Sequence, residues 1–309
     1  MSYVELIVFL EAAVRLGTPL ALAALGETVT ERSGVINIGL EGSIIAGALG
    51  GALGALAFES AGLGVASGAL AGVAIAAVFA AFAIGLGVDQ IITGTAVSIG
   101  GLGLTGAMYQ ARFGTTGAEL SLPTLRSWGV PGLEQLPLIG SPLFDQAPTA
   151  YLAYALAPVL WWYLFRTRHG LSLRAVGESP DAARAAGVSV RLTRFGATVF
   201  GGLLAGIAGA HLALAHAGTF AEGMSAGRGF IAIAVVVLGR WNPLLVLAAA
   251  LFFGAASAFQ FFLQALGLDL PYQIILMVPY VLTLAALAGW VGRSRAPAAL
   301  ALNWDGDRG

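Results

Sequence analysis

Three carboxylates, one arginine and one amide crowd the run GETVTERSGVINIGLEG between Gly26 and Gly42: Glu27, Glu31, Arg32, Asn37 and Glu41. Long apolar segments flank them, so they are the residues whose types and spacing suit chemistry inside a bilayer. That chemistry is hydrogen bonding and charge placement. A charge within an apolar span is costly and faces a protein interior or a watery path. Two readings fit. In one, Asn37 and Glu41 line a gate or solute path, and Gly34, Gly39 and Gly42 let the helix break or another segment approach. In the other, the run is a tight interfacial turn whose carboxylates pair with arginines of a later loop.

Bond-making chemistry is poorly provided for. All fifteen basic residues are Arg, and neither Lys nor Cys occurs. Without Lys the chain has no GxxxxGK[ST] phosphate loop and no Schiff-base lysine, so it is not its own P-loop ATPase. Without Cys it has no disulfide, thiolate metal site, iron–sulfur cluster or cysteine nucleophile. Only three His are present, and HExxH does not occur. No catalytic residue, metal site or cofactor is expected. The net charge of −1 gives no reason to expect a nucleic-acid partner.

A second chemistry-bearing stretch is RTRHGLSLRAVGESPDAARAAGVSVRLTR. It holds Arg166, Arg168, Arg174, Arg184, Arg191 and Arg194, six of the fifteen basic residues, in about a tenth of the chain. Short loops rich in Arg resist translocation and stay on the cytoplasmic side. Its centre, GESPDAARAAG, reads as a short capped helix. Ser179 suits the N-cap, Pro180 the first helical position, Asp181 the positive end of the dipole, and Gly187 a left-handed close. Arg184 follows Asp181 at i,i+3, and Ala182, Ala183, Ala185 and Ala186 leave a compact surface. A small helix held under a membrane by arginines is expected to dock on a partner.

The elements that must position these residues are membrane helices. The chain of 309 residues is 58% hydrophobic and 10% charged, with mean hydropathy +0.87, against about 25% charged residues in a soluble protein. A span needs about 20 apolar residues. By that measure nine are expected, at 4–26, 36–57, 62–87, 90–110, 148–165, 195–217, 229–240, 243–266 and 271–291, the seventh short. The fold expected is all-α, a single polytopic helical bundle over 1–309. With 166–194 inside, the 27–35 connection, the Arg240 turn and the tail with Arg293 and Arg295 fall inside. The loop 111–147 and the N-terminus fall outside. The first segment starts acidic and lacks the basic region of a signal peptide. The external loop carries Pro123, Pro131, Pro137, Pro142 and Pro148 with Trp128, which suits an ordered cap; a passive connector fits as well. The residues after Arg295 read as a short polar tail.

Gly is 44 of the residues. Gly47–Gly51, Gly50–Gly54, Gly64–Gly68–Gly72 and Gly202–Gly206 give GxxxG steps that let helices approach closely. Asp89 and Gln90 read as a solvated turn, His211 and His216 as satisfied interfacial histidines, and Glu222 and Arg228 as a pair at the outer mouth. Trp161, Trp162, Tyr163 and Trp241 suit an interfacial aromatic belt.

Three stretches carry a likeness to known proteins: TPLALAALGETVTERSGVINIGLEG, RAVGESPDAARAAGVSV and GRGFIAIAVVVLGRWNPL. They resemble permease subunits of bacterial ABC importers, the group of ribose, simple-sugar and branched-chain amino-acid permeases. The likeness is nearest to the shorter permease of nucleoside-type importers and extends from about Leu16 to Gly292. The absence of lysine sets the chain apart from many members without touching these motifs. The resemblance implies that Gly177, Glu178, Ser179, Pro180, Asp181, Ala183, Arg184 and Gly187 belong to a coupling helix seated in a cytoplasmic ABC ATPase subunit. It further implies a second, non-identical permease subunit, an extracytoplasmic substrate-binding protein and a place in the bacterial cytoplasmic membrane. The function expected is import of nucleosides, purine nucleosides first. Simple sugars or branched-chain amino acids, or an ATP-independent secondary transporter, are the alternatives.

Overall fold

The computed structural model describes residues 3–114, 121–265, 277, 281 and 295–304. Within them the chain runs α1 (Tyr3–Arg32), α2 (Leu40–Phe58), α3 (Ala61–Ala80), α4 (Gln90–Phe113), β1 (Trp128–Gly129), α5 (Gly140–Phe144), β2 (Asp145–Gln146), α6 (Pro148–Arg166), α7 (Arg168–Glu178), α8 (Pro180–Ala185), α9 (Val190–His211), α10 (Arg228–Leu238) and α11 (Pro243–Ala265). Helices α3 and α9 each continue through a wider π-type turn, Ala81–Gly85 and Leu212–Ala217. Six of these helical stretches are long and apolar enough to cross a membrane. The protein is a multi-pass membrane protein. The ninth expected span, 271–291, lies outside the described residues apart from 277 and 281.

The centre of the bundle is α1, buried along its second half from Gly17 to Glu31. Its approach to neighbours rests on small residues. A methyl group placed on Gly17 would lie 3.0 Å from the Ala250 carbonyl of α11, and one on Gly26 would lie 3.0 Å from the Gly201 carbonyl of α9. Hydrocarbon tails are as apolar as leucine, so helices in a bilayer are held by such close van der Waals packing and not by expulsion from water. The tightest junction joins α2, α3 and α9. A methyl on Gly68 would lie 2.6 Å from the Gly47 carbonyl, one on Gly47 would overlap the Gly206 carbonyl, and one on Gly206 would overlap the Gly68 carbonyl. The GxxxG steps read from the sequence therefore converge on one contact.

The first expected connection is placed differently. Residues 27–32 remain helical, and the turn is confined to 33–39. The carboxylates do not stop the helix because each finds a donor inside the fold: Asn37 N–H donates to Glu27 Oε1 at 2.8 Å, and Trp241 Nε1 donates to Glu31 Oε2 at 2.5 Å.

The connections assigned to one side of the membrane do gather at one end. Arg32 Nε donates to the Trp241 carbonyl at 3.0 Å, Gln90 Oε1 accepts from Ile36 N–H at 2.9 Å, and Arg194 Nε donates to the Ser33 carbonyl at 3.2 Å. Phe165 lies under both Arg32, at 5.5 Å, and Arg174, at 5.1 Å. At the opposite end, within the 111–147 loop, a two-stranded antiparallel ladder pairs Trp128 with Gln146 and Gly129 with Asp145. Tyr151 Oη donates to the Trp128 carbonyl at 2.7 Å, and Ser141 Oγ donates to Glu11 of α1.

Candidate functional site

Two segments interrupt the helical pattern inside the bundle, and they meet at Glu41. The first is 33–39. Ile38 lies beside Gly94 of α4, where an added methyl would be 2.7 Å from the Ile38 Cβ. Gly42 lies beside Gly101, where a methyl would be 2.8 Å from the Gly42 Cα. Gly101 is eleven residues into α4 from Gln90, roughly 16 Å at 1.5 Å per residue. The chain thus re-enters the bundle unwound, and the first turn of α2 reaches about half the depth of a ~30 Å hydrocarbon core. The second break is 218–227. It leaves the opposite end, where Leu122 N–H donates to the Gly218 carbonyl at 3.2 Å. Phe220 then buries against Tyr109 at 5.1 Å, before α10 opens at Arg228. With 11 residues, α10 spans roughly 16 Å and ends at the arginine-rich end beside Trp241. It is a half-helix. Arg228 accordingly lies halfway through the bundle and not at a mouth.

Glu41 joins the two breaks. Its Oε1 accepts from Gly227 N–H at 2.8 Å and its Oε2 from Gly229 N–H at 2.7 Å. The carboxylate therefore caps the positive end of α10, where orphan N–H groups and the helix dipole favour an anion. Gly227 has φ +77°, a left-handed conformation that glycine adopts without strain. Gly229 has no room for a side chain, since a methyl there would be 2.5 Å from the Glu41 nitrogen. Unwound backbone is tolerated at this depth where protein buries it and satisfies it, and Glu41 does both. Its own exposure is 3%.

Asn37 is fully buried within the first break. Its backbone N–H is held by Glu27, but among the described residues neither its Oδ1 nor its Nδ2 has a hydrogen-bond partner, and neither has Glu27 Oε2. A buried polar atom left unbonded costs about 1–3 kcal/mol. The polar run 26–42 thus divides. Both oxygens of Glu41 are satisfied, while Asn37 and one oxygen each of Glu27 and Glu31 hold unused hydrogen-bonding capacity among the described residues. A groove of about 560 Å³ lies elsewhere. It is lined by Leu160, Trp162, Leu192 and Phe200 among others, on the lateral face between α6 and α9. A smaller polar cavity of about 300 Å³ at the opposite end is lined by Glu11, Arg15, Asp145, Gln146 and His211. There His211 Nδ1 lies 2.6 Å from Thr149 Oγ1.

The 166–194 loop is helical through most of its length. α7 and α8 meet at Ser179, the N-cap of α8, whose side chain makes no cap hydrogen bond. Pro180 takes the first helical position, and Gly187 closes the turn at φ +83° with its N–H on the Arg184 carbonyl at 2.8 Å. Gly177 is buried, and a side chain there would strike the Arg32 carbonyl. Ala183 is turned inward, 3% exposed, and packs with Val176 and Val190. The outer surface of α8 is formed by Asp181, Ala182, Arg184 and Ala185, with Glu178, Ser179, Ala186 and Gly187 alongside, all exposed. A groove of about 420 Å³ runs between α7 and α8, lined by Ala175, Ser179, Ala182 and Ala186 among others.

Several residues of these sites carry no motif. Gln90, read as solvated, is buried at 2% and ties Ile36 to the Leu302 carbonyl. Asp89 instead caps α4 through Ile91 and Ile92 N–H, both at 2.9 Å. Arg194, also buried, bridges Ser33 and Leu302. The signal available was the apolar run APAALAL followed closely by Trp304, in a tail that reads as polar only at its ends.

The sequence pattern of the family described as "Branched-chain amino acid transport system / permease component" matches residues 9–287. The guanosine ABC transporter permease protein NupQ of Bacillus subtilis (strain 168) is 38% identical over 310 residues, covering 97% of both chains. The nucleoside ABC transporter permease protein NupC of Lactococcus lactis subsp. cremoris is 32% identical over 93% of both chains. TsgC13 of Haloferax volcanii, provisionally named a glucose ABC transporter permease protein, is 37% identical over 93% of this chain and 92% of its own. No solved structure gives a significant match. A half-helix capped at mid-depth and a short helix outside the bundle are what this whole-length similarity spans, and the chain belongs to the family of branched-chain amino acid transport system permease components.

Proposed function

We propose that the chain is a permease subunit of a nucleoside importer in a bacterial cytoplasmic membrane, with purine nucleosides as its first class of solute. The observation that carries this reading is the similarity to NupQ and NupC along nearly the whole chain. A separate cytoplasmic ATPase seats the exposed face of α8, a second, non-identical permease completes the path, and an external binding protein delivers the solute. ATP binding moves α8, and the bundle alternates between outward and inward openings. The two mid-depth breaks are the parts of the bundle free to rearrange. Asn37 contributes hydrogen bonds to the passing solute, and Glu41 holds the edge of the path by keeping α10 in place. Similarity to TsgC13 at comparable identity supports glucose as a second reading. Co-expression with the ATPase and binding protein, followed by uptake of labelled guanosine, glucose and leucine, separates the solutes. Uptake that survives removal of ATP would overturn the importer.

The orientation has its own test, made clean by the absence of native cysteine. A cysteine at Ser127 is expected to react with an impermeant maleimide from outside intact cells. One at Ala182 is expected to react only after the inner face is opened. The reverse pattern would invert the topology.

A further inference from the structure

Residues 295–304 do not trail away from the bundle; they cross its arginine-rich end. Ala298 N–H donates to Glu178 Oε2 at 3.3 Å, and Ala299 N–H donates to the Gly177 carbonyl at 2.9 Å. Ala301 N–H donates to the Gly34 carbonyl at 3.2 Å. The Leu302 carbonyl accepts from Arg194 Nη1 at 3.0 Å and Gln90 Nε2 at 3.5 Å, and Asn303 Nδ2 donates to the Gly87 carbonyl at 3.0 Å. The segment ends on α8. Trp304 Nε1 donates to Asp181 Oδ1 at 2.8 Å, and the Arg184 guanidinium sits 5.7 Å from the centre of the Trp304 ring.

We infer that this strap positions α8 and carries its displacement to the mid-depth break, with Trp304 as its grip on the docking helix. This rests on the reading of α8 as the ATPase docking element. The route is continuous: from Asp181 to Trp304, along the strap to Leu302, through Gln90 to Ile36, and so to Asn37, whose N–H is fixed by Glu27. α8 buries one small residue, Ala183, in a cluster with Val176 and Val190, and Trp304 packs against that cluster. Six residues of helix on so small a footing transmit little displacement without a second attachment. The strap supplies that attachment on the exposed side, where a hydrogen bond open to water adds little to stability and so serves geometry more than folding.

Contiguity alone does not demonstrate coupling, so the test measures coupling. The complete transporter with ATPase and binding protein is reconstituted, and solute imported per ATP hydrolysed is measured beside inserted permease and retained ATPase. Trp304→Ala is expected to lower the import-to-hydrolysis ratio about fivefold, within the range produced by residues along a coupled network. Inserted permease and retained ATPase stay at wild-type levels. Trp304→Phe keeps the ring under Arg184 but loses the N–H, and an intermediate ratio is expected. An unchanged ratio in Trp304→Ala would overturn the inference. So would loss of inserted permease or of ATPase in both variants, which would make the strap an anchor only. Absence of ATP-dependent uptake in the wild-type complex would defeat the importer reading itself.

Discussion

Glu41→Leu is expected to deplete the folded protein in the membrane about tenfold or more. The two N–H groups that Glu41 accepts, at Gly227 and Gly229, start a half-helix at mid-depth where water is not available to replace the carboxylate. Hydrogen bonds to a charged group contribute about 1.5–3 kcal/mol each, so losing both removes a large share of a typical stability of about 5–15 kcal/mol. Glu41→Gln keeps the shape and one acceptor but turns an NH₂ toward a donor, and an intermediate depletion is expected. The measurement is inserted permease by detergent extraction and size exclusion, with uptake normalised to it. If Glu41→Leu leaves the inserted amount intact and abolishes only normalised uptake, the carboxylate serves the solute and not α10.

The second large effect is expected at Ala182. It lies on the exposed side of α8, so Ala182→Arg leaves the bundle undisturbed and confronts the partner cleft with an unpaired charge. Burying such a charge at an interface costs about 2–5 kcal/mol, so ATPase retention and ATP-dependent uptake are expected to fall about 100-fold while inserted permease is unchanged. Ala183→Arg places the same charge one residue on, in the buried cluster with Val176 and Val190, and is expected to reduce inserted permease instead. Equal retention of ATPase by wild type and Ala182→Arg would remove α8 as the docking element.

Hydropathy and arginine distribution made much of this architecture legible. The long spans, the grouping of 27–35, 166–194 and the Arg240 turn at one end, and the short seventh helix follow from composition along one dimension. The short helix at Pro180–Ala185 was legible because proline, aspartate and glycine each have a positional preference, although Ser179 makes no capping bond. The path of 33–39 was not. Glu27 and Glu31 resemble an interface in a linear reading because their donors, Asn37 N–H and Trp241 Nε1, are set by tertiary structure. Glu41 likewise reads as a charge in a span until Gly227 and Gly229, nearly two hundred residues away, supply its reason. The strap was invisible for a related reason. Apart from Trp304 and Asn303 it bonds through backbone groups, which leave no pattern in the residues.

The glycine contact among α2, α3 and α9 has a consequence for how the sequence can drift. Elsewhere in a core, an enlarged side chain is accommodated when a neighbour shrinks. At Gly47, Gly68 and Gly206 each residue faces backbone atoms of another of the three, and no residue is smaller than glycine. A lineage therefore has no second-site change within the trio that rescues a first. The three positions are expected to be inherited as one character, kept together or lost together with the spacing of the helices, while the outward face of α4 varies freely beside them.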